Sequence, residues 1–135
     1  MRILQIGQAV FLAGIMAGVS PAGAQDCGNP ANQAEMNNCA YGDWQLADAE
    51  LNRVWKQAMK VARQMDLDYL PDGQRPAVDI LRDAQRLWIK FRDQACEAES
   101  LAFRGGSAQA MLLYACMERL TVRRTEDLKQ FAQTY

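Results

Sequence analysis

The sequence predicts an all-α fold, an elongated antiparallel three-helix bundle that carries two disulfides. Apolar residues recur at spacings of three and four along three long segments, which is the periodicity of amphipathic helices. Turn-forming residues separate these segments at positions 70–73 and 105–107. No segment shows strand alternation of useful length. Because short loops between long helices favour antiparallel neighbours, an up-down-up bundle is the simplest arrangement.

Residues 1–24 are predicted to be a secretory signal peptide. Arg2 supplies the positive start, residues 3–19 are largely apolar, and the small residues 22–24 precede an expected cleavage before Gln25. A membrane-spanning helix is disfavoured, because the uninterrupted apolar run at 9–19 is short of the ~20 residues that a span requires. No cysteine directly follows the cleavage position. A soluble periplasmic or secreted domain, residues 25–135, is therefore expected, without stable membrane insertion.

The first predicted helix covers residues 33–65. Asn32 and Glu35 have the spacing of a capping box, with Asn32 as the N-cap and Glu35 reaching back. A heptad-like series of apolar residues follows, made of Met36, Ala40, Trp44, Ala47, Leu51, Val54, Ala58, Val61 and Met65. A helix of this length cannot bury its stripe alone, so the other helices are expected to pack along it.

The second predicted helix has Pro76 in its first turn and extends to about residue 103 or 104. Its predicted inward stripe consists of Leu81, Ala84, Trp88, Phe91 and Ala95. Gln85, Arg92 and Cys96 are expected on the shoulder of that stripe. This helix therefore places polar groups where the core begins.

The third predicted helix follows the Gly105-Gly106 stop and has Ser107 as its predicted N-cap. Its apolar stripe consists of Ala110, Leu113, Met117, Leu120, Leu128 and Phe131. Arg124 occupies the position at which one more apolar residue is expected.

The four cysteines predict two disulfides, as an even number does in a small exported chain. Antiparallel packing of the second and third helices places Cys96 and Cys116 at similar heights, which favours that pair and leaves Cys27 for Cys39. The rival pairing joins Cys39 to Cys96, since the start of helix 1 should lie beside the end of helix 2. A zinc site is disfavoured, because the chain has no close CxxC pair and no histidine. Neither a metal nor another cofactor is expected.

The composition disfavours nucleic acid as a partner and catalysis as a function. The chain carries 15 Lys and Arg against 16 Asp and Glu, and it has no basic tract of the kind that binds nucleic acid. It has no histidine for general base catalysis, its cysteines are expected to be oxidised, and it has no Gly-rich phosphate loop. The protein is therefore expected to bind a protein partner or to have a structural role, and not to be an enzyme.

Eight polar residues lie at the edges of the predicted apolar stripes, and two interpretations stay open for them. They are Asp48, Asn52, Arg82, Gln85, Arg92, Asp93, Thr121 and Arg124. In the structural interpretation they form a buried hydrogen-bonded network that fixes the register of the three helices. In the functional interpretation they form a recognition patch. Trp44 and Trp88 are predicted to be core, whereas Trp55 lies on a shoulder and is a candidate partner contact.

The order of several motifs resembles the LprI-like lysozyme inhibitor domain family of bacterial envelope proteins. The motifs are Cys27, residues 35–37 with Cys39, residues 47–52, residues 84–93 with Cys96, residues 105–107, Cys116, and Thr121 with residues 124–128. Together they extend over nearly all of residues 25–135.

The resemblance implies an exported helical protein that binds a lysozyme and blocks the muramidase cleft. On that hypothesis the segment around Phe103, Arg104 and Ser107 is a candidate contact, together with Arg and Asp side chains. The chain departs from the lipoprotein namesake of the family in lacking an evident lipidation cysteine. The alternative is a non-inhibitory envelope module that binds another partner or supports stress tolerance.

Overall fold

The computed structural model describes residues 27–134, which form three long α-helices and no strand. Helix α1 spans Gln33–Asp68, α2 spans Ala77–Ser100 and α3 spans Gln109–Gln133, with a 3₁₀ turn at Leu101–Phe103. Helices α1 and α3 run parallel, and α2 runs antiparallel to both. This arrangement confirms the predicted fold class. The predicted signal peptide lies outside the described residues.

Helix α1 begins at the predicted N-cap, Asn32, and Glu35 reaches back to the residue before it. The Asn32 side chain accepts a hydrogen bond from the Glu35 N–H (3.0 Å), and the Glu35 carboxylate accepts one from the Ala31 N–H (2.7 Å). The 36 residues of α1 extend over about 54 Å. The helix ends at Asp68, three residues beyond the predicted end at Met65.

The additional turn of α1 supplies the cap of α2. Pro76 lies at the N-cap of α2, immediately before its first residue, and its side chain offers no acceptor. The carboxylate of Asp66 instead accepts hydrogen bonds from the N–H groups of Ala77 (2.6 Å) and Val78 (3.2 Å). Because the first N–H groups of a helix have no partner within the helix, this cap fixes the start of α2 against α1.

The core has two parts along the bundle, and α1 packs most extensively against α3. The larger part consists of Leu51, Val54, Ala58, Met59, Ala62, Leu81 and Leu128. The smaller part surrounds the buried Cys96, Cys116 and Met117. Trp88 packs against the larger part and Trp44 against the smaller, so both tryptophans contribute to the core as predicted.

The inward face of α2 differs from the predicted stripe. The buried residues of this helix are Leu81, Gln85, Arg92, Cys96 and Ser100. Ala84 is exposed and Phe91 is 61% exposed, so the prediction for these two residues was wrong. The face of α2 that was predicted to be only a shoulder is the one that points inward. It carries Cys96, which is bridged to α3, and the hydrogen-bonded side chains of Gln85 and Arg92.

Both disulfides lie at the end of the bundle where α1 and α3 begin and α2 ends, which we call the disulfide end. Cys27 is bonded to Cys39 (S–S 2.02 Å) and Cys96 to Cys116 (2.05 Å), which is the favoured pairing. The first bridge closes the N-terminal segment onto α1, and the second joins α2 to α3. The opposite end depends on noncovalent contacts, including the Asp66 cap.

The connection between α2 and α3 begins earlier and ends later than predicted. Helix α2 stops at Ser100, and α3 starts at Gln109 after Ala108, without a side-chain cap. The prediction of Ser107 as N-cap was wrong, since Ala108 is the N-cap and its carbonyl oxygen accepts the first helical hydrogen bond, from the Leu112 N–H (3.2 Å). The Ser107 carbonyl oxygen instead accepts a hydrogen bond from the Asn37 side chain. Gly105 has a φ of +74°, a conformation that glycine adopts without steric cost.

Candidate functional site at the Arg92 groove and the tip loop

Arg92 is a buried cation that contacts all three helices. Its side chain donates hydrogen bonds to Asp48 of α1 (3.2 Å), to the neighbouring Asp93 (2.9 Å) and to the Thr121 hydroxyl of α3 (3.4 Å). Arg92 is 6% exposed and Thr121 is fully buried. Two carboxylates therefore balance the guanidinium charge, as a buried charge requires.

Two indole rings complete the surroundings of Arg92. The guanidinium carbon lies 5.2 Å from the centroid of Trp88 and 5.7 Å from that of Trp44, within the range of cation–π attraction. Trp44 also stacks on Tyr114 of α3, with 5.7 Å between the ring centroids. The buried indole N–H of Trp44 has no acceptor among residues 27–134. The rings and carboxylates together fix Arg92 in one position.

A second polar contact joins α2 to α3. The Arg124 Nε–H donates to the side-chain oxygen of the buried Gln85 (2.9 Å). Burial lowers the pKa of Arg124, and the nearby Asp127 carboxylate opposes that shift. The polar interruption of the α3 stripe therefore has a partner on α2. Arg82 differs, since it pairs with Asp79 on its own helix (2.7 Å).

A groove of about 420 Å³ opens between α1 and α2 over these side chains, and we call it the Arg92 groove. Its lining consists of Asp48, Leu51, Asn52, Trp55, Arg82, Gln85, Arg86, Ile89 and Arg92. Five of the eight predicted network residues thus line one groove. Thr121 and Arg124 contact it from α3 through their hydrogen bonds, and Asp93 contacts Arg92 from outside the groove.

Burial divides this set into an inner and an outer part. Gln85, Arg92 and Thr121 are buried and bonded, which favours the structural interpretation for them. Asn52 is exposed and donates to Asp48 (3.0 Å), so the rim of the groove remains polar and accessible. Within residues 27–134, no group of three His, Cys, Asp or Glu side chains is placed to hold a metal ion.

The second candidate surface is the connection at the disulfide end, residues 101–107, which we call the tip loop. Its large apolar side chains are partly exposed, Leu101 at 46% and Phe103 at 53%. Arg104 is also exposed, and no ion pair joins it to another residue of the described range 27–134. The tip loop thus presents apolar surface beside an unneutralised cation.

Hydrogen bonds from two helices hold the tip loop. The Asn37 side chain of α1 donates to the Ser107 carbonyl oxygen (2.9 Å), and the Gln109 side chain accepts from the Gly105 N–H (2.9 Å). A third bond runs inside the loop, from the Gly106 N–H to the Phe103 carbonyl oxygen (2.8 Å). Sequence reasoning missed Asn37 because its partner lies 70 positions away along the chain. It missed Gln109 because the predicted α3 began before this residue, so its side chain was treated as part of the helix surface and not as a support of the preceding turn.

The four predicted partner contacts fall in two places. Phe103, Arg104 and Ser107 belong to the tip loop, whereas half-buried Trp55 lines the Arg92 groove. Since the tip loop is bonded to Asn37, Trp55 lies 18 residues along α1, or about 27 Å from that contact. A single small interface does not contain all four residues.

A family model described as "Lysozyme inhibitor LprI" matches residues 25–128. The chain belongs to the LprI family. All four cysteines, the eight network residues and the tip loop lie inside the matched range. Across residues 27–134, no helix is both long enough and apolar enough to span a membrane.

Two curated relatives extend the comparison of this LprI-family chain. It is 34% identical over 132 residues to "Uncharacterized protein R02472" of Rhizobium meliloti (strain 1021), with 93% of this chain and 95% of that protein covered. It is 27% identical over 62 residues to "Uncharacterized protein YecT" of Escherichia coli (strain K12), with 46% of this chain and 38% of YecT covered. No solved structure gives a significant match.

Proposed function

We propose that this LprI-family protein is exported, loses residues 1–24 as a signal peptide, and binds a lysozyme-type muramidase whose cleft it blocks. On this proposal the protein is a binding protein of the periplasm or the extracellular space, without catalytic activity. The family match and the two disulfides support it. The observation that carries the mode of binding is the exposed, supported tip loop with Arg104.

The chemistry of the tip loop complements that of a muramidase cleft. Glycosidases of this type act through a pair of carboxyl groups that flank the scissile bond. A guanidinium offers a planar set of N–H donors that matches a carboxylate and forms strong charge-assisted hydrogen bonds. Arg104 at the exposed tip is free of ion pairs within residues 27–134, so it brings an available cation to that pair.

Apolar contact and preorganisation would add to the affinity. Leu101 and Phe103 precede Arg104 and have partly exposed side chains, and aromatic and arginine residues are frequent anchors of protein interfaces. The bonds from Asn37 and Gln109 already order the loop backbone. A loop that is ordered before binding loses less conformational entropy on association.

The experiment is a muramidase assay with purified mature protein, residues 25–135, and several lysozyme types. We expect inhibition of at least one type, and we expect Arg104→Ala to weaken it about tenfold, which corresponds to ~1.4 kcal/mol. Arg104→Glu should weaken it further, because like charges would meet in the cleft. The matched control is Arg63→Ala, an exposed α1 arginine 26 residues along the helix from Asn37, or about 39 Å.

Two outcomes would contradict the proposal in different ways. If the wild-type protein inhibits no lysozyme type at large molar excess, the inhibitor proposal is wrong and the non-inhibitory envelope module is favoured. If it inhibits and the Arg104 variants inhibit equally well, the protein is an inhibitor but the tip loop is not the contact. In that case Trp55→Ala would test the Arg92 groove.

A further inference from the structure

Helix α2 has a second apolar face that is exposed to solvent. Ile80, Ala84, Leu87 and Phe91 follow each other at spacings of four, three and four, and we call them the outer stripe. Ile80 is 52% exposed, Leu87 67% and Phe91 61%, and Ala84 is exposed as well. The stripe covers about 17 Å along the helix. A contiguous apolar stripe of this length on a small protein is a feature of interaction surfaces.

Two opposite charges stand along one border of the outer stripe. Asp83 precedes Ala84, and Lys90 precedes Phe91, so the two are seven residues apart on the same side of the helix. In heptad terms Ile80 and Leu87 are d positions, Ala84 and Phe91 are a positions, and Asp83 and Lys90 are g positions. The e positions on the other border are Leu81 and Trp88, which belong to the core of the bundle.

We propose that the outer stripe is the interface of a homodimer in which α2 packs antiparallel against α2 of a second copy. A two-fold axis near residues 85 and 86 places Ala84 opposite Leu87 of the second copy, and Ile80 opposite its Phe91. Each layer then joins a smaller side chain to a larger one. The interface is isologous, with the same residues on both copies.

Charge complementarity selects the antiparallel arrangement. In that arrangement g positions face g positions, so Asp83 lies opposite Lys90 of the second copy, and the symmetry repeats this pair. In a parallel arrangement g positions face e positions, and both charges would meet Leu81 or Trp88. A parallel register would also place Phe91 against Phe91 and Ala84 against Ala84, which leaves one layer crowded and another incompletely filled.

Asp83 can form an ion pair with a second copy although it already has two partners within the chain. Asp83 pairs with Arg75 and Arg86 within the chain, but all three side chains are at least half exposed, and exposed ion pairs contribute little energy. Lys90 is exposed and has no ion pair within residues 27–134. A pair from Asp83 to Lys90 thus adds a contact without breaking a buried one.

The geometry of the dimer leaves both tip loops free. Residue 101 lies about 15 residues from the two-fold axis, so the two loops are about 45 Å apart and point in opposite directions. The dimer does not depend on the proposed inhibitory function. If both hold, one dimer can engage two muramidase molecules.

The test is sedimentation velocity of the mature protein over a range of concentrations. A seam of four side chains per copy is small, so we expect a reversible dimer with a dissociation constant of about 1–100 μM. Leu87→Glu should raise that constant at least about hundredfold, because it buries a charge at the seam. The matched control is Leu46→Glu, on an α1 leucine that is 73% exposed, and it should leave the constant unchanged.

A charge-swap cycle tests the arrangement and keeps the helix intact. Asp83→Lys and Lys90→Asp should each weaken the dimer about tenfold at low salt, and the double swap should restore it to within about threefold. Circular dichroism checks that every variant folds. A wild-type protein that stays monomeric up to about 1 mM would overturn the proposal. A dimer that Leu87→Glu leaves intact would also overturn it, because such a dimer is held by another surface. So would a failure of the double swap to restore the association that the single swaps weaken.

Discussion

The guanidinium of Arg92 lies 5.2 Å from the ring centroid of Trp88, which is four residues earlier on the same helix. The spacing brings one side chain over the other, and the buried position of Arg92 strengthens their attraction by excluding water. Asp48 and Thr121 then bind the same guanidinium from the other two helices. The contacts of this one residue therefore fix how far each of the three helices is shifted along the others.

Removal of Arg92 should destabilise the fold more than removal of any exposed arginine. Arg92→Ala leaves a cavity and an unsatisfied Thr121 hydroxyl, and we expect a loss of about 3 kcal/mol in the free energy of unfolding. Arg92→Lys keeps the charge but loses the planar donor set, so the loss should be smaller, about 1–2 kcal/mol. Urea unfolding followed by circular dichroism measures both. Exposed Arg86→Ala is the control and should change stability by at most about 0.5 kcal/mol.

The contact from Arg124 to Gln85 should behave differently when one or both partners are replaced. Arg124→Leu leaves the buried Gln85 oxygen without a donor and should lose about 1–3 kcal/mol. The double replacement, Gln85→Leu with Arg124→Leu, also removes the unpaired Gln85 amide, so it should recover most of that loss. A double-mutant cycle by chemical unfolding measures the coupling. Additive losses in the double variant would contradict this account.

Removal of the Asp66 cap should lower the stability of the end of the bundle that has no disulfide. Asp66→Ala removes the acceptor for the Ala77 and Val78 N–H groups and should lose about 1 kcal/mol, while Asp66→Asn keeps an acceptor and should lose less. Exposed Asp72→Ala, in the turn that follows, is the matched control. Thermal unfolding gives the ranking, and an equal effect of Asp66→Ala and Asp72→Ala would rule out the cap as the cause.

Loss of the Cys96–Cys116 bridge should weaken both the fold and the order of the tip loop. The bridge closes a segment with a sequence separation of 20, and loops of this size are stabilised by about 3 kcal/mol when cross-linked. The variant Cys96→Ala with Cys116→Ala should lose about that amount. Amide hydrogen exchange should accelerate at residues 101–109 more than at residues 77–85. Uniform acceleration along α2 would show that the bridge does not act locally.

One surface cluster makes a pH-dependent contribution. The hydrogen bond from Arg53 is the largest cause that lowers the pKa of Glu50 below its ordinary value of 4.5, and Lys129 lowers it further. Since the folded-state pKa is the lower one, ionised Glu50 stabilises the fold above its unfolded pKa, and this contribution disappears as pH falls through the folded pKa. The difference in Tm between wild type and Glu50→Gln should therefore be small at pH 7 and vanish in acid. Added salt should also reduce it.

Local signals in the sequence were sufficient to predict the number of helices, their order and the turns between them. Asn32 and Glu35 mark the start of α1, and the glycines at 105 and 106 mark the turn before α3, because caps and turns depend on neighbouring residues. Their similar distances from that turn favoured the pairing of Cys96 with Cys116 over the rival Cys39–Cys96, and the favoured pairing is the one present.

Two features could not be predicted from local sequence: which face of α2 points into the bundle, and where the loop between α2 and α3 begins and ends. Phe91 and Arg92 are adjacent, and side-chain polarity alone favours burial of Phe91. The opposite occurs because Asp48, Thr121 and two indole rings satisfy Arg92. Of these partners only Trp88 lies on α2, and the others lie on α1 and α3. The same limit applies to Ser107, whose carbonyl oxygen bonds Asn37 of α1 while α3 begins one residue beyond Ala108.

The two disulfides divide the chain into two covalently closed units. Cys27–Cys39 closes a loop within the N-terminal segment and α1, whereas Cys96–Cys116 closes the hairpin of α2 and α3. Within residues 27–134, no covalent bond other than the backbone connects α1 to that hairpin. Helix α1 can consequently detach from the hairpin while every cystine remains intact, so oxidising surroundings protect each unit but not their association. The resistance of the bundle to that opening depends on the noncovalent packing of α1, above all against α3.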